Sequence, residues 1–221
     1  PSPEQAGTGK RSFAIQRLYG AAVGVSGRSS GIAADSFERF TFVLAEILGF
    51  VKPHLPGHWP GGMERYQPMG AALVTGASSG IGLAIALELA QSGRKVFAIA
   101  RGTRGLNALR TAHAAITPIA LDVTDREAVE ATLDGLEIDV LVNNAGMMPP
   151  LGNFADMAMA DIDTALEVNL SAAIALTRLV MPQMRARGRG DILFTGSTAG
   201  HGAYPNMAVY AATKGAIASF A

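Results

Sequence analysis

Residues 71–82 read AALVTGASSGIG, which is a strand-like run, a glycine-rich turn and the start of a helix-like segment. Glycine suits such a turn because a side chain would keep the backbone away from a bound pyrophosphate or would collide with a neighbouring strand. The first amide groups of the helix, with the helix dipole, form a seat for phosphate. The turn therefore predicts a dinucleotide site. Its spacing, G-x-x-x-G-x-G, departs from the common G-x-G-x-x-G, so an ordinary glycine-rich turn is the alternative.

Downstream of this turn, short apolar runs alternate with segments of helical period. This alternation predicts an α/β fold with a doubly wound, mostly parallel sheet that is covered by helices on both faces. The predicted strands are Ala71–Thr75, Lys95–Ala100, Thr117–Asp122, Ile138–Asn143 and Asp191–Thr195. The predicted helices are Ile81–Ser92, Gly105–Ala114, Asp125–Gly135, Met159–Arg187 and Ala208–Phe220.

Residues 1–68 differ in texture from the rest of the chain and are rich in Gly, Pro, Ser and Arg. They contain one predicted helix near residues 34–51, followed by an irregular Pro/Gly segment. We therefore expect a leader or linker over 1–68 and a dinucleotide-binding and catalytic domain over 69–221. An amphipathic helix that docks on a membrane or a partner is the alternative for the first part.

The composition excludes several classes of protein. The 221 residues include 18 basic and 18 acidic side chains, so there is no basic stripe to bind nucleic acid. There is no cysteine, and the histidines are scattered; prolines break any helix that could align His54 with His58, which argues against a metal site. The apolar run Phe40–Val51 is shorter than the ~20 residues of a membrane-spanning helix. We expect a soluble, cytoplasmic protein without a membrane span.

Four motifs follow one another in the second part of the chain. They are TGxxxGIG from Thr75, NNAG over residues 143–146, Ser197 after the next strand, and Tyr210-x-x-x-Lys214 in a helix. In this order and in these contexts they resemble the short-chain dehydrogenase/reductase family, and the resemblance covers residues 69–221. It implies a Rossmann-like fold and a nicotinamide-dependent oxidoreductase that interconverts a carbonyl and a secondary alcohol.

The resemblance also implies which residues bind the cofactor. The second strand runs into Arg101 without a carboxylate, and a cation there favours the 2′-phosphate, so we expect NADP rather than NAD; Arg104 is close enough in sequence to assist. A solvated loop arginine is the alternative for Arg101, and a purely structural role is the alternative for Asn144. The implied cofactor-binding residues are Gly76, Ser78, Ser79, Gly80, Ile81, Gly82, Arg101, Asp122, Val123, Asn143, Ala145, Gly146, Tyr210 and Lys214, with Asp122 and Val123 flanking the adenine.

Hydride transfer to a carbonyl requires a proton donor and a group that holds the developing oxyanion. Side chains at i and i+4 share one helix face, so Lys214 lies beside Tyr210, and its ammonium favours a phenolate. The resemblance implies that Ser197 hydrogen-bonds the substrate oxygen, that Tyr210 transfers the proton and that Lys214 also binds the nicotinamide ribose. Asn169 matches the fourth residue of the family's catalytic set, which orders a water in the proton relay; a helix-interior asparagine that hydrogen-bonds to backbone is the alternative.

The resemblance predicts further chain after Ala221, namely the rest of the last helix, another parallel strand, a segment over the substrate, and a final helix and strand. We therefore expect a sheet that is incomplete at its C-terminal end and an open cleft. The 221-residue chain is expected to be weakly active or inactive, and the full-length protein active.

The substrate is expected to be a small to medium, fairly apolar carbonyl or alcohol, because Met147, Met148, Tyr204 and Met207 flank loops that face the site. The family usually assembles through the helix over 159–187 and the helix that carries Tyr210, so a homo-oligomer is expected at full length. Two other functions stay open: a non-catalytic dinucleotide-binding module, and an inactive fragment of such an enzyme.

Overall fold

The computed structural model describes residues 70–221, and the predicted leader over 1–68, with its helix near 34–51, lies outside the described residues. Within the described part, five strands form one parallel sheet in the order β3-β2-β1-β4-β5. The strands are β1 (Ala71–Thr75), β2 (Val96–Ala100), β3 (Ile116–Ala120), β4 (Ile138–Asn143) and β5 (Asp191–Phe194). The predicted doubly wound, Rossmann-like fold is confirmed.

Helices connect the strands and cover both faces of the sheet. They are α1 (Gly80–Gln91), α2 (Thr103–Ala112), α3 (Arg126–Leu133), α4 (Met159–Leu166), α5 (Ala172–Arg187) and α6 (Ala208–Phe220). Short 3-10 turns occur at Phe154–Asp156 and Thr198–His201. The long helix predicted over 159–187 is continuous, but the five residues Glu167–Ser171 between α4 and α5 form a π-helical segment.

The core explains why the strands read as continuous apolar runs. Strands β2 and β4 are buried at every residue, as strands are when helices cover both faces of a parallel sheet. On one face, Leu73, Ile99 and Leu141 pack against Leu176 and Val180 of α5. Each such side chain stabilises the fold by about 1.5–3 kcal/mol relative to an exposed position.

Strand β3 ends two residues before its predicted end at Asp122. The carboxylate of Asp122 accepts hydrogen bonds from the backbone N–H of Thr124 at 3.0 Å and from the Thr124 hydroxyl at 2.8 Å. These local bonds fold the chain into a turn, as short polar side chains commonly do. The turn carries Asp122 and Val123 out of the sheet and across its C-terminal edge.

Among the described residues, one helical stretch, Met159–Arg187, has the length and hydropathy of a membrane-spanning helix. Its most apolar window has a mean hydropathy of 1.3, and 39% of that window is buried inside the protein. The buried side chains pack on the sheet, which accounts for the apolar character of the stretch without a membrane. The absence of a membrane span stays a prediction.

A cluster of charged side chains lies at the N-terminal edge of the sheet, opposite the glycine-rich turn. The carboxylate of Asp139 in β4 contacts Arg187 at 2.9 Å and Arg189 at 3.1 Å. Arg187 also donates to the backbone carbonyl of Ile138 and, at 2.8 Å, to the side chain of Gln183. The cluster therefore ties the end of α5 to the start of β4.

Asp139→Ala should lower the free energy of unfolding by about 3 kcal/mol, because it removes the carboxylate from partly buried guanidinium groups. Urea unfolding followed by circular dichroism would measure the change. Asp134→Ala removes an exposed carboxylate at the end of α3 and is the matched control, with little expected effect. Equal stability losses in the two variants would contradict this role of the cluster.

Candidate active site

The glycine-rich turn connects β1 to α1 at the C-terminal edge of the sheet. Gly76 has a φ of +65°, which an L side chain rarely adopts. A Cβ atom on Gly82 would overlap the carbonyl oxygen of Gly76 and the side-chain amide of Asn144. The turn is therefore as tight as its sequence predicts, and Gly80, Ile81 and Gly82 form the first turn of α1.

A hydrogen-bond network, here called the Thr75–Asn144 network, joins three strand ends at this edge. The Thr75 hydroxyl donates to the Val142 carbonyl at 3.2 Å and accepts from the backbone amides of Asn144 at 3.0 Å and Ala145 at 2.9 Å. The Asn144 side chain donates to the Thr75 carbonyl at 3.0 Å and accepts from the Thr195 hydroxyl at 3.1 Å. These contacts support the structural role for Asn144 that the sequence left open.

A cleft of about 360 Å³ runs along the C-terminal ends of β1 to β4, where the strand order reverses. Open α/β sheets bind their ligands in this crevice. The cleft contains eight of the residues predicted to bind the cofactor: Gly76, Ser78, Ser79, Arg101, Asp122, Val123, Ala145 and Gly146. Ala100, Gly102, Leu121 and Val168 complete its lining.

The adenosine end of the predicted site holds a loose ion pair. One nitrogen of the Arg101 guanidinium lies 3.7 Å from a carboxylate oxygen of Asp122, and the two side chains are 72% and 39% exposed. The backbone N–H of Thr124 holds the pKa of the Asp122 carboxyl below its usual range, and the Thr124 hydroxyl and Arg101 act in the same direction. Exposed ion pairs are weak, so the Arg101 side chain can turn to a different anion at little cost.

Asn143, one of the residues predicted to bind the cofactor, does not line the cleft. It is 6% exposed, and its side-chain amide donates to the Thr177 hydroxyl of α5 at 3.2 Å. Its side-chain oxygen is buried without a hydrogen-bond partner. Asn143 thus faces the core beneath the site.

Lys214 and Tyr210 occupy one face of α6. Lys214 is only 6% exposed, and its ammonium donates to the Thr195 carbonyl at 2.7 Å. The same nitrogen lies 5.9 Å from the centre of the Tyr210 ring, and a Cβ atom on Gly146 would lie 3.8 Å from it. Burial lowers the pKa of Lys214. The ammonium therefore lies between the tyrosine and one wall of the cleft.

Asn169 lies in the π-helical segment and is 2% exposed. Its side-chain oxygen accepts from the backbone N–H of Met147 at 2.7 Å, and its amide donates to the Met147 carbonyl at 2.8 Å and to the Thr213 hydroxyl at 3.2 Å. The side chain thus reaches across to the loop after β4, and its bonds to the Met147 backbone agree with the alternative of a helix-interior asparagine bonded to backbone. Its part in a proton relay stays a prediction. π-Helical segments often occur at functional sites.

Ser197 begins the 3-10 turn that follows β5, and its hydroxyl accepts from the backbone N–H of Ala199 at 3.2 Å. That turn packs closely on α6: a Cβ atom on Gly200 would lie 2.8 Å from the carbonyl carbon of Lys214. The segment that carries Ser197 and the helix that carries Tyr210 are therefore neighbours.

Within residues 70–221, no three His, Cys, Asp or Glu side chains are grouped so that they could hold a metal ion.

This geometry can be compared with known proteins. Residues 70–221 match the family described as short chain dehydrogenase. The chain belongs to the short-chain dehydrogenase/reductase family. The family predicted from the four motifs is thus confirmed.

Three similar proteins illustrate the membership. The uncharacterised short-chain type dehydrogenase/reductase y4eK of Sinorhizobium fredii is 46% identical over 158 residues, which are 72% of this chain and 62% of that protein. The NADP-dependent 3-hydroxy acid dehydrogenase YdfG of Salmonella typhi is 38% identical over 154 residues, 67% of this chain and 62% of that protein. The closed form of serine dehydrogenase complexed with NADP+ has a TM-score of 0.66 at 35% identity and covers 68% of this chain and 63% of that one.

The chain spans 62% of the length of the two curated relatives described above.

The motifs did not predict the contacts of every side chain that shapes the site. Thr75 is the first residue of the TGxxxGIG motif and Thr213 precedes Lys214, but spacing alone does not predict the hydrogen bonds of either hydroxyl. The backbone groups of Met147 and the carbonyl of Thr195 also bind site residues. Backbone partners leave no signature in a sequence, because every residue carries them.

The burial of Lys214 predicts a pH dependence of stability. Because its pKa is lower in the folded chain than in the unfolded chain, the unfolded chain binds the extra proton between the two values. The burial penalty is therefore full below the folded-state pKa and falls as the pH rises through it. Relative to Lys214→Met, the wild-type protein should gain stability as the pH rises towards about 10.4, the ordinary pKa of lysine. Urea unfolding at several pH values would measure this, and a pH-independent difference would contradict it.

Proposed function

We propose that this protein is an NADP(H)-dependent oxidoreductase that interconverts a carbonyl and a secondary alcohol, with Tyr210 as the proton-transferring group. The position of the Lys214 ammonium carries the proposal. It lies 5.9 Å from the Tyr210 ring centre and beside the Gly146 wall of the cleft. A non-catalytic nucleotide-binding module has no need of a buried ammonium beside a tyrosine.

The residues present fit a dinucleotide. A Cβ atom on Gly76 or Gly82 would collide with Asn144 or its neighbours, so these glycines allow the tight turn, and Gly80 has open space where its Cβ atom would be. The amide groups of the first turn of α1 are suited to bind the pyrophosphate. Asp122 and Val123 would flank the adenine, and Ala145 and Gly146 would line the nicotinamide side. Tyr210 and Lys214 would complete the ribose end.

Arg101 supports NADP rather than NAD. Its guanidinium is 72% exposed at the rim of the cleft, where it can bind a 2′-phosphate through charge-assisted hydrogen bonds. Two of the similar proteins agree, since one is named as NADP-dependent and another was solved with NADP+.

When bound, the nicotinamide supplies or accepts the hydride. The chain supplies the rest: Ser197 would hold the substrate oxygen, and Tyr210 would give it a proton during reduction or take one during oxidation. The Lys214 ammonium favours the phenolate form of Tyr210 by its charge. Asn169 anchors the loop after β4 through Met147 and would order a water in the relay.

An apolar rim supports a fairly apolar substrate. Met148, Leu151 and Phe154 follow β4, Tyr204 follows β5, and all four are between 43% and 59% exposed. Both segments lie beyond the carboxyl ends of their strands, where ligands bind in this fold. We propose a small to medium carbonyl compound as the substrate.

The assembly and the location of the protein stay predictions. A homo-oligomer that forms through α5 and α6 is consistent with the exposed side chains of Met181 at 40% and Phe220 at 44%. The expectation of a cytoplasmic protein rests on the sequence analysis.

Tyr210→Phe should reduce NADPH-dependent turnover of a ketone panel (ethyl acetoacetate, acetophenone and 9,10-phenanthrenequinone) by about 10²–10⁴-fold, because it removes the proton donor. The Kd of NADPH, measured by calorimetry, should change little. Retained turnover would contradict the role of Tyr210. Full-length wild-type protein that binds NADPH but reduces none of the probes would favour the non-catalytic module.

Arg101→Gln should raise the Kd of NADPH by about 10–100-fold, because a charged group loses its partner, and should leave the Kd of NADH nearly unchanged. Arg110→Gln removes an arginine from the last turn of α2, the helix that follows Arg101, and is the matched control. Equal losses for NADPH and NADH would contradict the assignment of Arg101.

A further inference from the structure

Thr213 lies on α6 between Tyr210 and Lys214 and is fully buried, at 0% exposure. Its hydroxyl donates to the backbone carbonyl of Tyr210 at 2.8 Å. The same oxygen accepts from the side-chain amide of Asn169 at 3.2 Å. One hydroxyl thus joins the helical turn that begins at Tyr210 to the π-helical segment.

The link continues beyond Asn169. The other bonds of that side chain go to the backbone N–H and carbonyl of Met147, the residue after Gly146. Gly146 lines the cleft, and a Cβ atom on it would lie 3.4 Å from the Asn169 oxygen and 3.8 Å from the Lys214 nitrogen. A continuous path therefore runs from the cleft wall through two buried side chains to the Tyr210 backbone.

A neutral amide has two N–H donors and one acceptor oxygen. Asn169 uses one donor on Met147 and the other on Thr213, so loss of the Thr213 hydroxyl would leave a buried N–H without its partner. A buried donor without a partner is destabilising, which favours a rotated Asn169 or a shifted α6. A shift of either would change the position of Tyr210 relative to Gly146.

We infer that Thr213 is a positioning residue: its hydroxyl fixes the Tyr210–Lys214 turn of α6 against the Gly146–Met147 wall of the cleft. This inference rests on the proposed function and deepens it. Thr213 acts through Asn169 and through the backbone, without contact to the substrate. Errors of about 1 Å in the placement of a reacting group can reduce a rate about 10²-fold.

Three variants test the inference in the wild-type background. Thr213→Val keeps the shape and removes the hydroxyl, and Thr213→Ser keeps the hydroxyl. Thr177→Val is the matched control, because Thr177 is also buried, at 3% exposure, and its hydroxyl also binds an asparagine amide, that of Asn143. Turnover is measured with NADPH and the same ketone panel, NADPH binding by calorimetry, and stability by urea unfolding.

Thr213→Val should lower kcat by about 10–100-fold, with little change in the KM of the ketones or the Kd of NADPH. Thr213→Ser should restore most of kcat. Thr177→Val should lose comparable stability but keep kcat. A Thr213→Val variant with wild-type kcat, or equal loss of kcat in both valine variants, would overturn the inference. If Thr213→Val does not fold, Thr213→Ala and Thr213→Ser differ by the hydroxyl alone and give the same comparison.

A readout without turnover separates this inference from the proposed function. Thr213→Val should speed hydrogen–deuterium exchange in peptides from residues 145–148 as well as from α6, and Thr177→Val should not. Faster exchange in α6 alone would overturn the inference even in an active enzyme. Wild-type protein that neither binds NADPH nor reduces a ketone would instead overturn the proposed function, while the exchange data still decide the link.

Discussion

The geometry of the site depends on the hydroxyl of Thr75. It accepts hydrogen bonds from the backbone amides of Asn144 and Ala145 and donates one to the Val142 carbonyl of β4. These bonds fix the distance between the turn after β1 and the turn after β4. That spacing defines the two walls of the cleft. The Asn144 side chain also accepts a hydrogen bond from the hydroxyl of Thr195, which follows β5. The Thr195 carbonyl in turn accepts a hydrogen bond from the Lys214 ammonium. The glycine-rich turn and α6 thus share one set of hydrogen bonds.

The two ends of the cleft differ in their exposure to water. At the outer end, Arg101 and Asp122 are solvated, so their charges are screened and their side chains can rearrange around a ligand. At the inner end, Lys214 and Asn169 are almost fully buried and hydrogen-bonded. Electrostatic effects are stronger where water is excluded. Arg101 and Asp122 can therefore adapt to a ligand, while burial and hydrogen bonds restrict the side chains of Lys214 and Asn169.

Much of the fold and of the site could be predicted, because periodicity and spacing report burial and shared helix faces. The bounds of β1, β4 and α6 agree with the apolar runs. The end of β3 differs from the predicted end, because the hydrogen bonds between the Asp122 side chain and Thr124 fold the chain into a turn instead of extending the strand. Asn143 stays a predicted cofactor-binding residue, but its side chain faces Thr177. A motif gives the position of a residue along the chain, whereas packing decides the direction of its side chain.

The π-helical segment has a consequence for how this sequence can change. It accommodates one residue more than a regular turn, and removal of that residue would give a plain α-helix with better backbone geometry. The helices on either side would keep their faces towards the sheet, because the π-helical turn absorbs the extra residue, but the side chains within the segment would change direction. Asn169 could no longer meet Met147 and Thr213 together. Shortening this segment by one residue would thus improve the local helix geometry but separate the Met147 loop from Thr213. The π-helical segment and Asn169 are therefore needed together.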